Sequence, residues 1–538
     1  MTDFPHSIDI IPGVLLFVVA DQMDEATTTR IAAVVRLLDE QDVPGIRDIV
    51  PSYGSILIVY DENILCTDKI DTALRSAWEH TFGKADSTAV GIVTISVVYG
   101  DEFGEDLTNV SEHSGINVED VITLHASSTY TVGAVGFVPG FTYLVGLPPS
   151  LTTPRRAKPR LKVPAGSVGI GGAQTGVYAL PSAGGWNMIG RSPDRLFDPA
   201  ADPPVRLQLG DRVRFQPVTD ADFSHLEPVT GAACGDGPIE VLAPGLQTTV
   251  QDLGRYGMAR YGFATDGAMD RTSLVRANRL VGNHDAAAAL EIAHQGPVLR
   301  FHRRLQLALA GADLGARLNN RPVPVNRLFE TMPGDTLTFH RLPTSSGARA
   351  YLAVRGGFDV PVVMGSASTN LLAGIGGWQG RALLRGDRLP VGQQHIQPEL
   401  FAPGMDLTSS TLALDAPFRI MPGVQRSRFS DATWQRLLAE TFTVSDEANR
   451  VGIRLLGPSL VPEDGADILS GGIATGSIQV TGEGQAIVML PGHATIGGYT
   501  KIATVVPQDW DRLGQLSPGD GIRFCEFSMP VGDDCRSR

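Results

Sequence analysis

Residues 154–164 read PRRAKPRLKVP, which places Arg155, Arg156, Lys158, Arg160 and Lys162 in one short run of an otherwise acidic chain. Pro154, Pro159 and Pro164 exclude a helix and hold the backbone extended. Guanidinium groups on a stiff extended segment suit bidentate binding of a carboxylate or phosphate. Arg155 and Arg160 are the candidates for that task, with Gln174 close behind in the sequence. A solvated edge strand protected by its charge explains the same residues. A second constellation, TTVQDLGR (248–255), supplies Gln251, Asp252 and Arg255, and GAMDR (267–271) adds Asp270. Glycines beside these polar groups permit close backbone approach. Asp252 and Arg255 can equally pair with each other and fix a turn. A third, NRLVGN (278–283), ends in Asn283 and precedes Glu291 inside the apolar run 287–292. A Glu buried there needs a partner or a raised pKa, whereas an outward-facing one needs neither. The fourth joins Gln479 of SIQV (477–480) to Tyr499 and Lys501 after Gly497-Gly498. Lys501 can reach a substrate anion or simply snorkel to solvent. Glu291, Asp252 and Lys501 are the candidates for acid–base or orienting work.

Several chemistries lack their residues. There is no G-x-x-x-x-G-K-[ST] phosphate loop, no H-E-x-x-H and no G-x-S-x-G elbow. The glycine-rich stretches 166–172 and 374–381 could cradle an anion through backbone N–H groups. Neither opens a helix after a strand as a dinucleotide fingerprint requires, and tight β-turns account for both. No hairpin lysine of the biotin-attachment kind is present, so no covalently attached biotin is expected. Cys66, Cys234, Cys525 and Cys535 form neither a CxxC nor a Cys/His cluster. No metal site or disulfide framework follows, and a reducing cytoplasm fits.

The elements that must position these groups are mostly strands. The 61 glycines and 36 prolines make about 18% of the chain against roughly 12% in ordinary usage. Aromatic residues are 7% and charged residues 19%. At 538 residues the chain exceeds what one hydrophobic core serves. A net charge of −14 argues against nucleic acid and against anionic membrane surfaces, and no apolar stretch approaches a membrane span. The run 14–20 has no basic residues before it and reads as a buried strand rather than a secretory signal.

The pattern predicts strands at 14–19, 55–60 and 90–98, and helices at 24–41 and at 68–82 with Thr67 as N-cap, giving a small α/β domain over 1–95. Gly and Pro then punctuate every few residues, and a β-barrel is expected over 96–216, with one short helical piece at 118–124. Residues 217–237 read as a linker, and 238–527 as a second β-rich region with a helix at 426–443. The tail after 527 reads as frayed. An internal repeat is visible. Gly166-Ser167-Val168, Leu180-Pro181, Gly184-Gly185-Trp186 and Gly210-Asp211 recur in order as Gly476-Ser477-Ile478, Leu490-Pro491, Gly497-Gly498-Tyr499 and Gly519-Asp520. Two copies of one barrel are expected, with a groove between them as the natural site. The fold class is therefore mostly β: a small α/β N-terminal domain and two barrel units in tandem.

The motifs YG (99–100), FG (103–104), DL (106–107), GFVPGFTYL (136–144), Pro154-Arg155, Pro159-Arg160, PAGSV (164–168) and GGW (184–186) resemble the B subunit of 5-oxoprolinase, also called allophanate hydrolase subunit 1 or KipI. QDLGR (251–255), GAMD (267–270), NRLVGN (278–283), Glu291, Gly365-Ser366, RVGIR (450–454) and GGY (497–499) resemble the C subunit, also called allophanate hydrolase subunit 2 or KipA. Together they cover nearly the whole chain, which is similar to a fusion of the two. The resemblance implies cyclophilin-like barrels and a cytoplasmic enzyme component. With a separate A subunit, it would open the lactam of 5-oxoproline, or a related amide, at the expense of ATP. The nucleotide and its Mg are expected to be bound with or by that partner. The resemblance also adds Arg450, Asn283 and Tyr499 to the substrate-binding candidates. Phosphorylating an amide oxygen would make its carbon electrophilic, and nearby cations would stabilise the charge that develops.

Two further readings follow. One is the carboxyltransferase component of a biotin-dependent, urea-type carboxylase, with a biotinylated carrier as partner. The other is a non-catalytic, kinase-regulating KipI/KipA-like protein. A homodimer is compatible with either. The second half departs from its family: D-x-Q-T-T-G-G-Y-P-K is replaced by GHATIGGYTK (492–501), a Ser-Glu by Ser470-Gly471, a Gln-Pro by Gln485-Ala486 and a Pro-x-Ser by Ala264-Thr265-Asp266. These losses favour a site in the first barrel, around Arg155, Arg160, Gln174 and the 166–172 turn, with His493 of little consequence.

Overall fold

A computed structural model describes residues 4–82, 91–226, 236–340, 347–393 and 414–528. Its first unit is a four-stranded antiparallel sheet in the order His6–Ile11, Val14–Val18, Ser55–Tyr60, Ile46–Ser52. Helices Glu25–Gln41 and Thr67–His80 cover one face, where Phe17, Ile56 and Ile58 pack on Ile31, Val34, Leu38 and Leu74. Asp24 caps the first helix by accepting from the Thr27 N–H at 2.7 Å. Thr67 is the first residue of the second helix, not its cap; Cys66 stands at the cap position and makes no side-chain capping bond. The edge strands His6–Ile11 and Ile46–Ser52 escaped the pattern because charged residues interrupt their apolar positions.

The strand Ile92–Tyr99 belongs wholly to the next unit, so a boundary at 95/96 would cut through it. It pairs parallel with Arg212–Pro217 in a closed barrel that continues through Tyr130–Val135, Thr142–Val145, Gln174–Val177, Ser167–Gly171 and Asn187–Arg191. Helices Leu107–Ser114 and Val118–Ser127 lean on it. His125 of the latter is fully buried, sits 2.7 Å from the Tyr99 hydroxyl and 2.8 Å from that of Thr175, and burial lowers its pKa to about 3.

The second half starts with two packed sheets. One contains Ile239–Ala243, Val298–Phe301 and Thr336–Phe339; the other contains Gln247–Gln251, Ala289–Ala293, Arg349–Val354, Leu305–Gly311 and Arg327–Thr331. They share one apolar core. Helix Arg271–Leu280 lies on the outer face of the second sheet, where Ala289, Ala308, Ala310 and Ala353 leave room for it.

A second barrel-like sheet runs from Phe418–Pro422 to Phe524–Glu526. The helix expected over 426–443 is confined to Asp431–Ala439, because Ser430 caps it and Phe442–Val444 pairs into the sheet.

The two barrels are copies. In each, the first and last strands pair in parallel. Each repeats the hairpin Ser167–Gly171/Gln174–Val177 or Ser477–Val480/Ala486–Met489. Each also carries a bulge at the same place. Ile189 is passed over between Met188↔Gly169 and Gly190↔Val168, and Ile502 between Lys501↔Gln479 and Ala503↔Ile478. A bulge is a placed feature of a sheet, and its recurrence in register ties the copies residue by residue.

Within the second half, the two-sheet layer and the second barrel are locked together by a buried polar network. The Glu291 carboxylate accepts from Arg450, from the Tyr351 hydroxyl at 2.7 Å and from the Met269 N–H at 2.9 Å, with Arg349 at 3.6 Å. Burial pushes its pKa up, but Arg450 and Arg349 together hold it below the ordinary value. Gln515, fully buried, accepts from the Ala348 and Arg349 N–H groups and donates to Asp270. Removing one member of such a network leaves unpaired buried charge. Glu291→Gln leaves two guanidiniums facing a neutral amide, and is expected to lower stability in urea unfolding at pH 7 by about 3–5 kcal/mol. A loss below about 1 kcal/mol would show that the network contributes no more than a surface pair.

Candidate functional site

Most of the polar residues singled out from the second-half motifs hold the scaffold together. Asp252 accepts from Ser366 and Ser368 hydroxyls and from the Gly254 and Ala367 N–H groups. Arg255, fully buried, donates to the Val363 and Ser368 carbonyls and lies 3.7 Å from Asp266, so its carboxylate neighbour is Asp266 rather than Asp252. Asp270 caps helix Arg271–Leu280 through the Ser273 N–H and hydroxyl; burial and then Asp511 raise its pKa to about 6. Asn283 clamps the Val354 carbonyl and the Gly356 N–H. Gln251 donates to Thr249 and to the Thr369 carbonyl. Glu291 and Arg450 are engaged with each other.

Arg160, expected as a free anion binder, is ion-paired with Asp106 at 2.7 Å and Glu105 at 2.9 Å, and Arg156 joins the same Asp106. The Arg160–Val163 strand is pinned against Ser182–Gly184, so this part of the basic run is neutralised in place. The 166–172 glycines form a strand and its turn, as tight packing against Trp186 and Met188 requires.

A groove does open where the two barrels meet over the N-terminal sheet. Its wider part, about 690 Å³, is lined by Arg155, Gly171, Gly172 and Gln174 of the first barrel, by Asp467, Ser470 and Gly498 of the second, and by Asp21. Gln174 is buried and donates to the Met23 sulfur, and its Oε1 has no partner among the described residues. A narrower cavity of about 210 Å³ adjoins it through Asp21, Ile468, Leu469 and Ser470, and is lined by Lys501, Gln425, Ser52 and Ser55. Lys501 is 4% exposed. Burial alone lowers its pKa to about 8. No carboxylate pairs with it among the described residues. Gln479 is its cross-strand neighbour, and the Gln479 amide nitrogen is also unpartnered. A Cβ on Gly497 would come within 3.0 Å of that nitrogen, which accounts for glycine there. Tyr499, 41% exposed, stands in the register occupied in the first barrel by the buried Trp186.

The register shows which barrel kept its polar groups. Gly169 and Met188 occupy the first-barrel positions of Gln479 and Lys501. The first copy is filled with hydrocarbon at the point where the second holds an amine and an amide. The groove and its adjoining cavity are thus lined by Arg155 and Gln174 of the first barrel and by Lys501 of the second, with Gln479 beside Lys501 on the neighbouring strand.

A separate, more enclosed cavity of about 370 Å³ lies between the N-terminal sheet, residues 256–271 and the second barrel. It contains Asp48, raised to about 7 by burial, Asp266, raised to about 6 by burial, and His493. His493 faces the Thr475 hydroxyl at 3.2 Å. Asp48 escapes pattern reading because Arg47 beside it breaks the apolar run, so it lacks the signal that Glu291 gives.

Two family models match the chain: carboxyltransferase domain, subdomain C and D, over residues 12–207, and carboxyltransferase domain, subdomain A and B, over residues 261–526. The chain is 37% identical over 291 residues to the C subunit of 5-oxoprolinase from Escherichia coli (strain K12), covering 54% of this chain and 92% of that one. It is 46% identical over 177 residues to the B subunit of 5-oxoprolinase from Escherichia coli O157:H7, covering 33% of this chain and 80% of that one. Urea amidolyase of Lachancea kluyveri is 34% identical over 327 residues, but the match spans only 17% of that protein. The crystal structure of TTHA0988 superposes with a TM-score of 0.83 at 35% identity, over 95% of this chain and 99% of that one.

An amine buried without a counter-ion costs stability. Folded Lys501 titrates near 8 against the ordinary 10.5, so the penalty is fully present below about pH 8 and fades as pH rises toward 10.5. Lys501→Met, the residue of the matching first-barrel position, is expected to stabilise the chain at pH 7 by up to about 3 kcal/mol. That gain should shrink between pH 8 and 10 when unfolding is followed across this range. Destabilisation at pH 7 would mean that the amine is paired.

Proposed function

We propose that this chain, which belongs to the family of the B and C subunits of 5-oxoprolinase and joins both in one polypeptide, is the fused component of an ATP-dependent amidohydrolase that opens 5-oxoproline or a closely related lactam. It acts with a separate partner of the A-subunit type. The observation that carries this reading is the shared groove: both halves contribute to it, and its cations, Arg155 and Lys501, have no carboxylate partner among the described residues.

A cyclic amide acid presents a carboxylate, an amide N–H and a carbonyl oxygen. The groove offers complements to each: the ammonium of Lys501, the unpartnered Oε1 of Gln174 and the guanidinium of Arg155. A cation held in a poorly hydrated cleft stabilises negative charge developing on an attacked amide far more than one in water does. Held by the partner, ATP would supply the activation of the amide oxygen. The described residues hold no group of three acidic, histidine or cysteine side chains suited to a metal. The groove's polar lining does not fit a metal–nucleotide cradle, so nucleotide binding is assigned to the partner and no step is derived through it.

The carboxyltransferase descriptions of both family models support a second reading, in which the groove accepts a carboxyl group from a biotinylated carrier protein. The partner decides between them. Mixed with an A-type partner protein and ATP, the chain is expected to release glutamate from 5-oxoproline. Arg155→Ala should lower kcat/KM by about 10- to 100-fold, while Arg160→Ala leaves it within about threefold of the parent because its guanidinium serves Asp106. No turnover by folded components, or an Arg160 effect exceeding that of Arg155, would overturn the assignment.

A further inference from the structure

We propose that the cavity around Lys501 is the carboxylate-recognition end of the groove, and that it takes up a proton when a small monocarboxylate binds. The inference rests on the lactam-acid reading above and specifies which part of the substrate is held where.

The geometry carries it. Lys501 enters the cavity from the strand Ile496–Val505, next to the bulged Ile502. Its own backbone N–H donates to the Gln425 side-chain oxygen at 3.1 Å, which fixes the strand against the wall. Three hydroxyl residues, Ser52, Ser55 and Ser470, line the same space. Ser52 and Ser55 are 2.9 Å apart, and either can be the donor, so this pair can turn a proton toward an incoming oxygen. Gly471 leaves the space between them open, since a Cβ there would meet nothing closer than 3.7 Å.

One ammonium flanked by neutral hydroxyls complements a group of charge −1 with two acceptor oxygens. Among the described residues, Asp21 is the only other charged side chain on the cavity wall; Asp467 and Arg155 stand on the adjoining groove. With an acid at the mouth and a single cation inside, a carboxylate is favoured over a doubly charged phosphate. The cavity, about 210 Å³, opens into the wider groove at Ser470, so a short acid can seat its carboxylate and leave its ring toward Gln174 and Arg155.

Free Lys501 is half-protonated near pH 8. A carboxylate bound beside the amine favours the ammonium and raises its pKa. Binding above pH 8 therefore draws a proton from solution, and affinity weakens as pH rises beyond that point. Below about pH 7 the amine is already charged and no uptake accompanies binding.

Calorimetric titration of the whole chain on its own tests this with 5-oxoproline in buffers of differing ionisation enthalpy. The expected result at pH 8.5 is uptake of about 0.7 proton per site, falling towards zero at pH 6.5. Pyrrolidin-2-one, the same lactam without its carboxylate, should bind at least tenfold more weakly and take up no proton. Lys501→Met should lose tenfold or more in 5-oxoproline affinity, and its fold has a precedent in Met188 of the first barrel. Lys501→Arg should retain binding while abolishing the proton uptake, a separation that a merely structural lysine would not give.

Binding of 5-oxoproline to the parent without uptake at pH 8.5, or unchanged binding by Lys501→Met, would overturn the proposal. So would inorganic phosphate competing more strongly than 5-oxoproline. Uptake on binding with no turnover in the reconstituted system would remove the lactam-opening reading and leave the carboxylate site standing. Turnover without uptake would do the reverse.

Discussion

The Glu291 carboxylate is the constraint on which the second half depends. It is buried and can exist as an anion only because Arg450 and Arg349 approach it and the Tyr351 hydroxyl and Met269 N–H complete its shell. Those partners come from three places: the sheet that bears Glu291, the turn before helix Arg271–Leu280, and the segment leading into strand Gly452–Leu456. A desolvated charge tolerates no loosening, because every partner that withdraws leaves the remainder uncompensated. The ion cluster thereby sets how the second barrel sits on the two-sheet layer. Gln515 repeats the logic with a neutral amide, accepting from the Ala348 N–H at one end and donating to the Asp270 carboxylate at the other.

Once the second barrel is fixed, the N-terminal sheet has two partners. Its helix-free face meets Tyr143, Tyr178 and Trp186 of the first barrel and Ala474 and Ile496 of the second in one apolar cluster. The groove is the gap left at the edge of that junction. Duplication supplied the two walls, and divergence gave them different work. At one register the first copy packs Met188 over Gly169, while the second holds Lys501 beside Gln479. A methionine fills space without demanding a partner; a buried lysine keeps a demand that only an anion answers.

Much of this is legible in the amino-acid sequence. The glycine and proline rhythm indicates the β class, and the ordered Gly-Ser, Leu-Pro, Gly-Gly-aromatic and Gly-Asp elements reveal the duplication. Helix Glu25–Gln41 announces itself through Asp24 and its apolar spacing. What fails are readings that depend on distant partners. Arg160 looks available because Asp106 lies far from it in the chain, and Asp252 looks chemical because Ser366 and Ser368 lie farther still. A helix expected through residue 443 ignores that Phe442–Val444 is claimed by sheet neighbours. The expectation of a site in the first barrel rests on polar residues counted along the chain, and the groove is lined from both barrels. Cys234 and Cys535, and the tail from 529, lie outside the described residues.

The apolar cluster under the N-terminal sheet has a consequence for assembly. Its members Leu57 and Val50 are made early, and Ala259, Ala474 and Ile496 are made late. Were the two halves separate polypeptides, covering this face would be a second-order event that dilution opposes. On one polypeptide the two surfaces face each other at an effective concentration on the order of millimolar, whatever the abundance of the protein. Covalent linkage thus turns an encounter between chains into a closing step of folding, and makes completion of the groove independent of expression level.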